Sequence, residues 1–182
     1  MDEIKLQLKA IQRNIGFLFP PTEKNAHIPF SEAEVHSLQS LDFDFDVDGV
    51  FDGKTYAKRS VAKRQGQAEF RKNMLVLYNG ACAITGNTEP TVLDAAHIIP
   101  FNGRQSNHPR NGILLRTDIH TLFDAGLIAI DPETLCVRVS SKLSEPSYLE
   151  YNNRQIELPL SVEFHPSKRA LRHHIEFVYR YC

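Results

Sequence analysis

The chain is poor in cysteine. Cys82, Cys136 and Cys182 are scattered over 182 residues, and no C-x-x-C pair occurs. An odd, dispersed set argues against a disulfide framework and against a thiolate zinc knuckle, and it fits a reducing, cytoplasmic setting. Cys82 and Cys136 lie in apolar runs and read as core residues rather than reactive thiols. Long hydrophobic runs are also missing. Without a stretch of some ~18 apolar residues there is no transmembrane helix to expect, and no membrane partner. The start, Met1-Asp2-Glu3-Ile4-Lys5, lacks the basic residues and apolar stretch of a secretory signal. Internal repeats and low-complexity tracts are absent too. The composition that remains, 42% hydrophobic and 24% charged, is that of a soluble globular chain with room for one domain and a small appendage.

The net charge of −1 hides an asymmetry. Residues 1–57 hold 5 basic and 10 acidic side chains, whereas residues 58–182 hold 16 and 12. Lys58, Arg59, Lys63, Arg64, Arg71 and Lys72 face only Glu69 within one short block. A polyanion would therefore meet the later part of the chain, although a basic block of this kind also serves as a plain solvated helix face. The charge break divides the chain into an acidic N-terminal segment, 1–57, and a domain over 58–182.

Ile4, Leu8, Ile11, Ile15 and Leu18 recur at helical spacing and predict a helix over 3–19, stopped by Pro20-Pro21. So narrow a stripe fits the chain's own core or a second copy of the chain, that is, a homodimer. Residues 20–57 read as a connector. Inside it Asp42-Phe43-Asp44-Phe45-Asp46-Val47-Asp48 alternates with the period of a half-buried strand. The aspartates do not make a calcium loop, because Val47 and Gly53 stand where that loop needs Gly and Glu. A second helix is predicted over 59–78, with Val61, Ala68, Leu75 and Tyr78 inward, Ser60 near its start and Asn79-Gly80 at its end.

Residues 81–140 carry the chemistry. The β-branched and apolar run 91–100 predicts a strand closed by Pro100, and a polar loop, Asn102 to Arg110, follows. Gly112 to Arg116 reads as a second strand, and Thr117 or Asp118 as the N-cap of a short helix that Gly126 ends. His97 closes the first strand, Asn111 opens the second at the neck of the loop, and His120 and Asp124 sit one turn apart on one helix face. A hairpin brings the end of one strand opposite the start of the next, so these groups can converge. Imidazole and carboxylate together can hold one divalent ion, though a third group is needed. Taken singly, each has a structural reading: a buried histidine bonded to backbone, an Asn-Gly turn, an Asp124–Arg116 pair.

Taken together, this arrangement resembles the HNH nuclease family, the ββα-metal finger. His97, Asn111 and His120 supply its three letters, and the runs Cys82-Ala83-Ile84-Thr85-Gly86, Ala95 to Pro100 and Asn111 to Gly126 match in order and register. The stretch is similar to a subgroup found in restriction and phage-defence proteins, and the likeness runs from about Arg64 to Leu143. The resemblance implies an α+β fold: an HNH finger, core about 91–126, flanked by helices and a β-hairpin. It implies a DNA endonuclease that leaves 5′-phosphate and 3′-hydroxyl ends. His97 would be the general base, Asn111 would hold it across the loop, and His120 would bind the metal. The family often has a metal-binding Asp or His directly before the catalytic histidine, where this chain has Ala96. Asp94 and Asp124 are the candidate further ligands. Mg²⁺ or Mn²⁺ suits so sparse a set on a phosphate substrate, and histidine also admits Zn²⁺ or Ni²⁺. Double-stranded DNA is the partner expected, with Arg116, Arg104, Lys63, Arg64 and Arg71 as candidate phosphate contacts. Two alternatives stay open: a DNA-binding module without catalysis, favoured by Ala96, and a nuclease effector held inactive by residues 1–57.

Beyond the finger, 126–140 reads as a hairpin turning at Asp131-Pro132. A last helix over 166–181 carries Lys168, Arg169, Arg172 and Arg180, a face open either to phosphate or to water. Its neighbours His173 and His174 point different ways on a helix and would not share a metal.

Overall fold

The structure is a computed structural model that describes the backbone of residues 59–102 and 104–179, with side chains from Gly66 onward except that of Arg104. The stripe over 3–19, the alternating segment 42–48, the acidic unit 1–57, Cys182 and the side chains of Lys63, Arg64 and Arg104 lie outside the described residues.

Helix α1 spans Arg59–Leu77. It ends as the sequence predicts, with Asn79 and Gly80 both at positive φ. Its inward face agrees with the expected one at Tyr78 and differs at Ala68 and Leu75. Phe70, Met74 and Tyr78 are buried, at steps of four, while Ala68 is exposed and Leu75 only half-buried. The reason lies in the neighbouring strand. A Cβ on Gly112 would stand 2.5 Å from Met74 Sδ and 2.7 Å from the Phe70 ring, so the missing side chain there is what lets α1 approach.

Strand β1, Leu93–His97, pairs antiparallel with β2, Gly112–Arg116, in the register Leu93↔Arg116 to His97↔Gly112. Helix α2, Thr117–Asp124, follows β2 without a loop. Helix α1 and α2 both pack on this pair, so β2 is covered on its two faces, and Ile113, Leu114 and Leu115 form an unbroken apolar run instead of an alternating one.

β1 is shorter than its β-branched run suggests. At its start Pro90–Val92 forms a tight turn capped by Glu89, and at its end the Asn111 side chain takes the Ile99 N–H and carbonyl from any further ladder. Nor is α2 capped by Thr117 or Asp118. Arg116 stands at the N-cap without a side-chain cap bond, the Thr117 hydroxyl donates to the Val92 carbonyl, and Asp118 is taken by Arg116.

A second hairpin joins β3, Ile128–Ile130, to β4, Val137–Val139, as expected. After a short helix α3, Pro146–Leu149, the chain closes with α4, Lys168–Phe177, whose N-cap Ser167 accepts from Ala170 N–H. One core runs through all of this, with Phe70, Ile84, Leu93, Ile113, Leu114, Ile119, Phe123, Ile128 and Ile130 fully buried or nearly so. Each such side chain is worth roughly 1.5–3 kcal/mol in removed apolar surface. The architecture is α+β, a strand–strand–helix unit flanked by helices and a hairpin. No described helix is long and apolar enough to cross a membrane.

Candidate active site

A cleft of about 600 Å³ opens beside the end of β1. His97, Asp94 and Ala95 line it from β1, Phe70 and Arg71 from α1, His120 and Asp124 from α2, and His174 from α4.

His97 is half-buried and held on several sides. Its ring stacks on Phe70, with centroids 4.3 Å apart and planes 11° off parallel, and meets the edge of Phe101 at 5.8 Å. Its Nε2 lies 2.9 Å from Oδ1 of Asn107. Gly112, opposite His97 in the ladder, makes the room that brings Phe70 within stacking reach.

Asn111 is fully buried and does not act as a turn residue. Its Oδ1 accepts from Ile99 N–H at 2.9 Å, and its Nδ2 donates to the carbonyls of Ile99 at 3.0 Å and Ser106 at 2.9 Å. Together with the Ile98 N–H bond to the Asn111 carbonyl, these bonds tie both ends of the loop together just beyond His97. Buried amides cost little when all their bonds are made and much when any are lost.

On α2 the i, i+4 spacing brings His120 and Asp124 together, and Asp94 on β1 reaches the same imidazole. His120 Nδ1 lies 3.7 Å from Asp94 and its Nε2 lies 3.4 Å from Asp124. Desolvation at the cleft wall pushes the Asp124 carboxyl above the usual carboxylate range, and the His120 charge pulls it back. Each ring nitrogen thus faces a different carboxylate. Among the described residues, no group of three or more His, Cys, Asp or Glu side chains stands ready around one point. The donor set fits an ion that His120 and one carboxylate would hold, with the substrate phosphate and water completing the shell. Ala96 is buried and offers no ligand.

The basic residues divide. Arg71 lines the cleft, and its guanidinium donates to the Leu93 and Pro90 carbonyls, latching α1 to the head of β1. Arg116 stands away from the cleft lining and pairs with Asp118 through two bonds of 2.7 and 2.8 Å, which holds the Asp118 carboxyl below its ordinary range. The Asp124–Arg116 pair allowed by the sequence therefore does not form. On α4, Lys168 and Arg172 pair with Glu133.

Several residues in or behind the cleft escape the sequence reading. Phe70 and Phe101 look like ordinary core aromatics, and Asn107 is one polar residue in a polar loop. His174 is buried, stacks on Phe123 at 3.8 Å and 7°, and donates from Nε2 to the Phe123 carbonyl. Burial lowers it from 6.5 to about 4, with the Phe123 carbonyl opposing the shift. Its neighbour His173 turns instead to Phe177. Cys82 is a core residue whose Sγ accepts from Arg116 and Thr85 N–H, whereas Cys136 is only half-buried, beside the turn of the second hairpin.

No curated protein matches the chain. A solved structure titled "Modification dependent TagI restriction endonuclease" is similar at 22% identity and a TM-score of 0.42, over 62% of this chain and 38% of that one. The chain thus spans well under half the length of that protein. The family model described as HNH endonuclease matches residues 82–131, which include β1, the loop, β2, α2 and β3. That segment is similar to HNH endonucleases, and it contains the side chains that line the cleft from β1 and α2.

Proposed function

We propose that the chain is a metal-dependent endonuclease of double-stranded DNA, working in restriction or phage defence, which leaves 5′-phosphate and 3′-hydroxyl ends. The observation that carries the reading is the meeting of His97 from β1 with His120, Asp94 and Asp124 along one cleft. His97 takes the proton from the attacking water, a task suited to an imidazole with an ordinary pKa near ~6.5. Phe70 and Asn107 hold the ring while it does so. Asn111 keeps the loop folded behind it. His120 with Asp94 or Asp124 would hold the divalent ion. Bound there, the ion would supply charge neutralisation at the scissile phosphate and the leaving 3′ oxygen. Arg71, on the cleft wall, is the described basic residue best placed to meet the DNA backbone, and the basic side chains of the α1 block extend the same positive stretch in sequence.

The parent is expected to cut duplex DNA with Mg²⁺ or Mn²⁺ and to stop on chelation. His97→Ala and His120→Ala should each lose on the order of 10²–10⁴-fold in rate with little change in melting temperature. A His97→Ala variant that cuts as fast as the parent rejects His97 as the base. Ala96 favours a second reading, in which the finger binds DNA without cutting it. Salt-sensitive binding with no product under Mg²⁺, Mn²⁺, Ni²⁺ or Zn²⁺ selects that one.

A further inference from the structure

We propose that Asn107 is a positioning residue that fixes the tautomer and ring plane of His97. The proposal rests on the reading of His97 as general base. Asn107 is not the asparagine of the HNH pattern, which is Asn111. The two do different work: the Asn111 side chain bonds to the backbone of Ile99 and Ser106, while Asn107 reaches the imidazole itself.

An amide oxygen only accepts hydrogen bonds. The 2.9 Å bond between Asn107 Oδ1 and His97 Nε2 therefore puts the ring proton on Nε2 and the proton-accepting lone pair on Nδ1. A side-chain amide could turn over and reverse this assignment, so what orients Asn107 matters. A Cβ on Gly66 would lie 2.2 Å from Asn107 Nδ2 and 3.4 Å from its Cγ. The bare backbone of α1 at Gly66 thus leaves the room that the amide occupies, with its NH₂ edge toward the helix and its oxygen toward the ring. Phe70 fixes the ring plane from one face, and Phe101 closes its edge. Gly66, an unfavourable residue inside a helix, has its use here: it leaves room for the side chain that addresses the base.

Variants of the full chain test this. Asn107→Leu removes the acceptor, and kcat/KM for DNA cleavage should fall on the order of ten- to a hundredfold. Asn107→Asp keeps the acceptor and adds a charge that favours imidazolium. The rising limb of the pH profile of kcat/KM should then move up by about one to two pH units, because His97 must be neutral to act. The other titratable or charged groups on the cleft wall, Arg71, Asp94, His120, Asp124 and His174, are the same in parent and variant. Gly66→Ala should displace Asn107 and lower kcat/KM while the melting temperature holds or rises. A purely structural role for Asn107 would move the plateau or the melting temperature but not that limb. Long-range ¹H–¹⁵N spectra of the metal-free protein read the ring directly: His97 should be the Nε2–H tautomer, and it should titrate higher in Asn107→Asp. An Nδ1–H tautomer, or a titration and a rising limb that both stay put in Asn107→Asp, overturns the proposal. Full activity in His97→Ala would instead remove the general-base reading, and the tautomer and titration measured by NMR would still decide what Asn107 does.

Discussion

The two hairpins among the described residues use polar residues in opposite ways. In the second, residues 131–136 turn β3 into β4, and Asp131 closes the turn on itself. Its carboxylate accepts from the N–H groups of Thr134 and Glu133 and pairs with Arg138, and these bonds, led by Thr134, pull it down to about 2. Both Asp131 carboxylate oxygens are thus engaged within their own hairpin. The first hairpin has a similar device in Asn111, which closes a much longer loop through backbone partners alone. Just past that closure, however, His97, Asp94, His120 and Asp124 line an open cleft, and the last three meet chiefly one another. A polar side chain saturated by backbone builds shape. Polar side chains that face each other across a cleft are available to a substrate and an ion.

The comparison breaks most directly at Asn111. If its role is closure, Asn111→Ala should unfold the loop's support, because the Ile99 N–H and the carbonyls of Ile99 and Ser106 would be buried without partners. At about 1–3 kcal/mol for each unsatisfied group, with incomplete additivity, the loss should be roughly 4 kcal/mol in urea unfolding of the full chain. A loss under about 1 kcal/mol would mean that the loop stands without it.

His174 sharpens the contrast, since it lines the cleft yet spends its Nε2 on backbone, while its Nδ1 is buried without a hydrogen-bond partner. Its Nε2 is bonded to the Phe123 carbonyl and its ring lies flat on Phe123. Its pKa is depressed, from 6.5 to about 4, so the native state favours the neutral ring. The corresponding stability is complete above about pH 6.5 and is lost as pH falls toward 4, by at most about 3 kcal/mol. His174→Phe keeps the stack and removes the proton site. Between pH 7 and 4.5 the parent should therefore lose stability faster than the variant in parallel denaturation curves, and equal slopes would mean that this ring is not held neutral by the fold.

Much of the finger was legible in sequence because its signals are local. The Gly80, Gly126 and Ser167 boundaries, the Ile113–Leu115 run and the His120–Asp124 spacing each depend on neighbours within a turn or two, and each sits where its pattern places it. Asp94 was found through its strand neighbours and lies by His120. What escaped depends on distant partners. The inward face of α1 is set by the empty Cβ position of Gly112, not by the helix's own composition. Arg116 is a generic basic residue until Asp118 claims it two positions on. His174 joins the cleft only because α4 folds back 51 residues onto Phe123. Asn107 is indistinguishable from its polar neighbours until Gly66 and His97 are brought to either side of it.

The smallest expected effect tests the other half of the comparison. Asp131→Ala removes an acceptor of two backbone N–H bonds and the contact with Arg138, whose own side chain is exposed enough for water to take over part of its bonding. A loss of about 1–2 kcal/mol is expected, and cleavage measured well below the melting temperature should keep its rate. The sign of its pH dependence is that of His174: the Asp131 contribution is present above the ordinary Asp value near 3.9 and lost as pH falls toward about 2, so the gap between parent and variant should narrow in acid. A folded Asp131→Ala protein that no longer cuts would place the second hairpin inside the active site. The distinction between a hairpin that only braces the finger and one that carries its chemistry would then fail, because a carboxylate closed by its own turn would be serving the substrate as well.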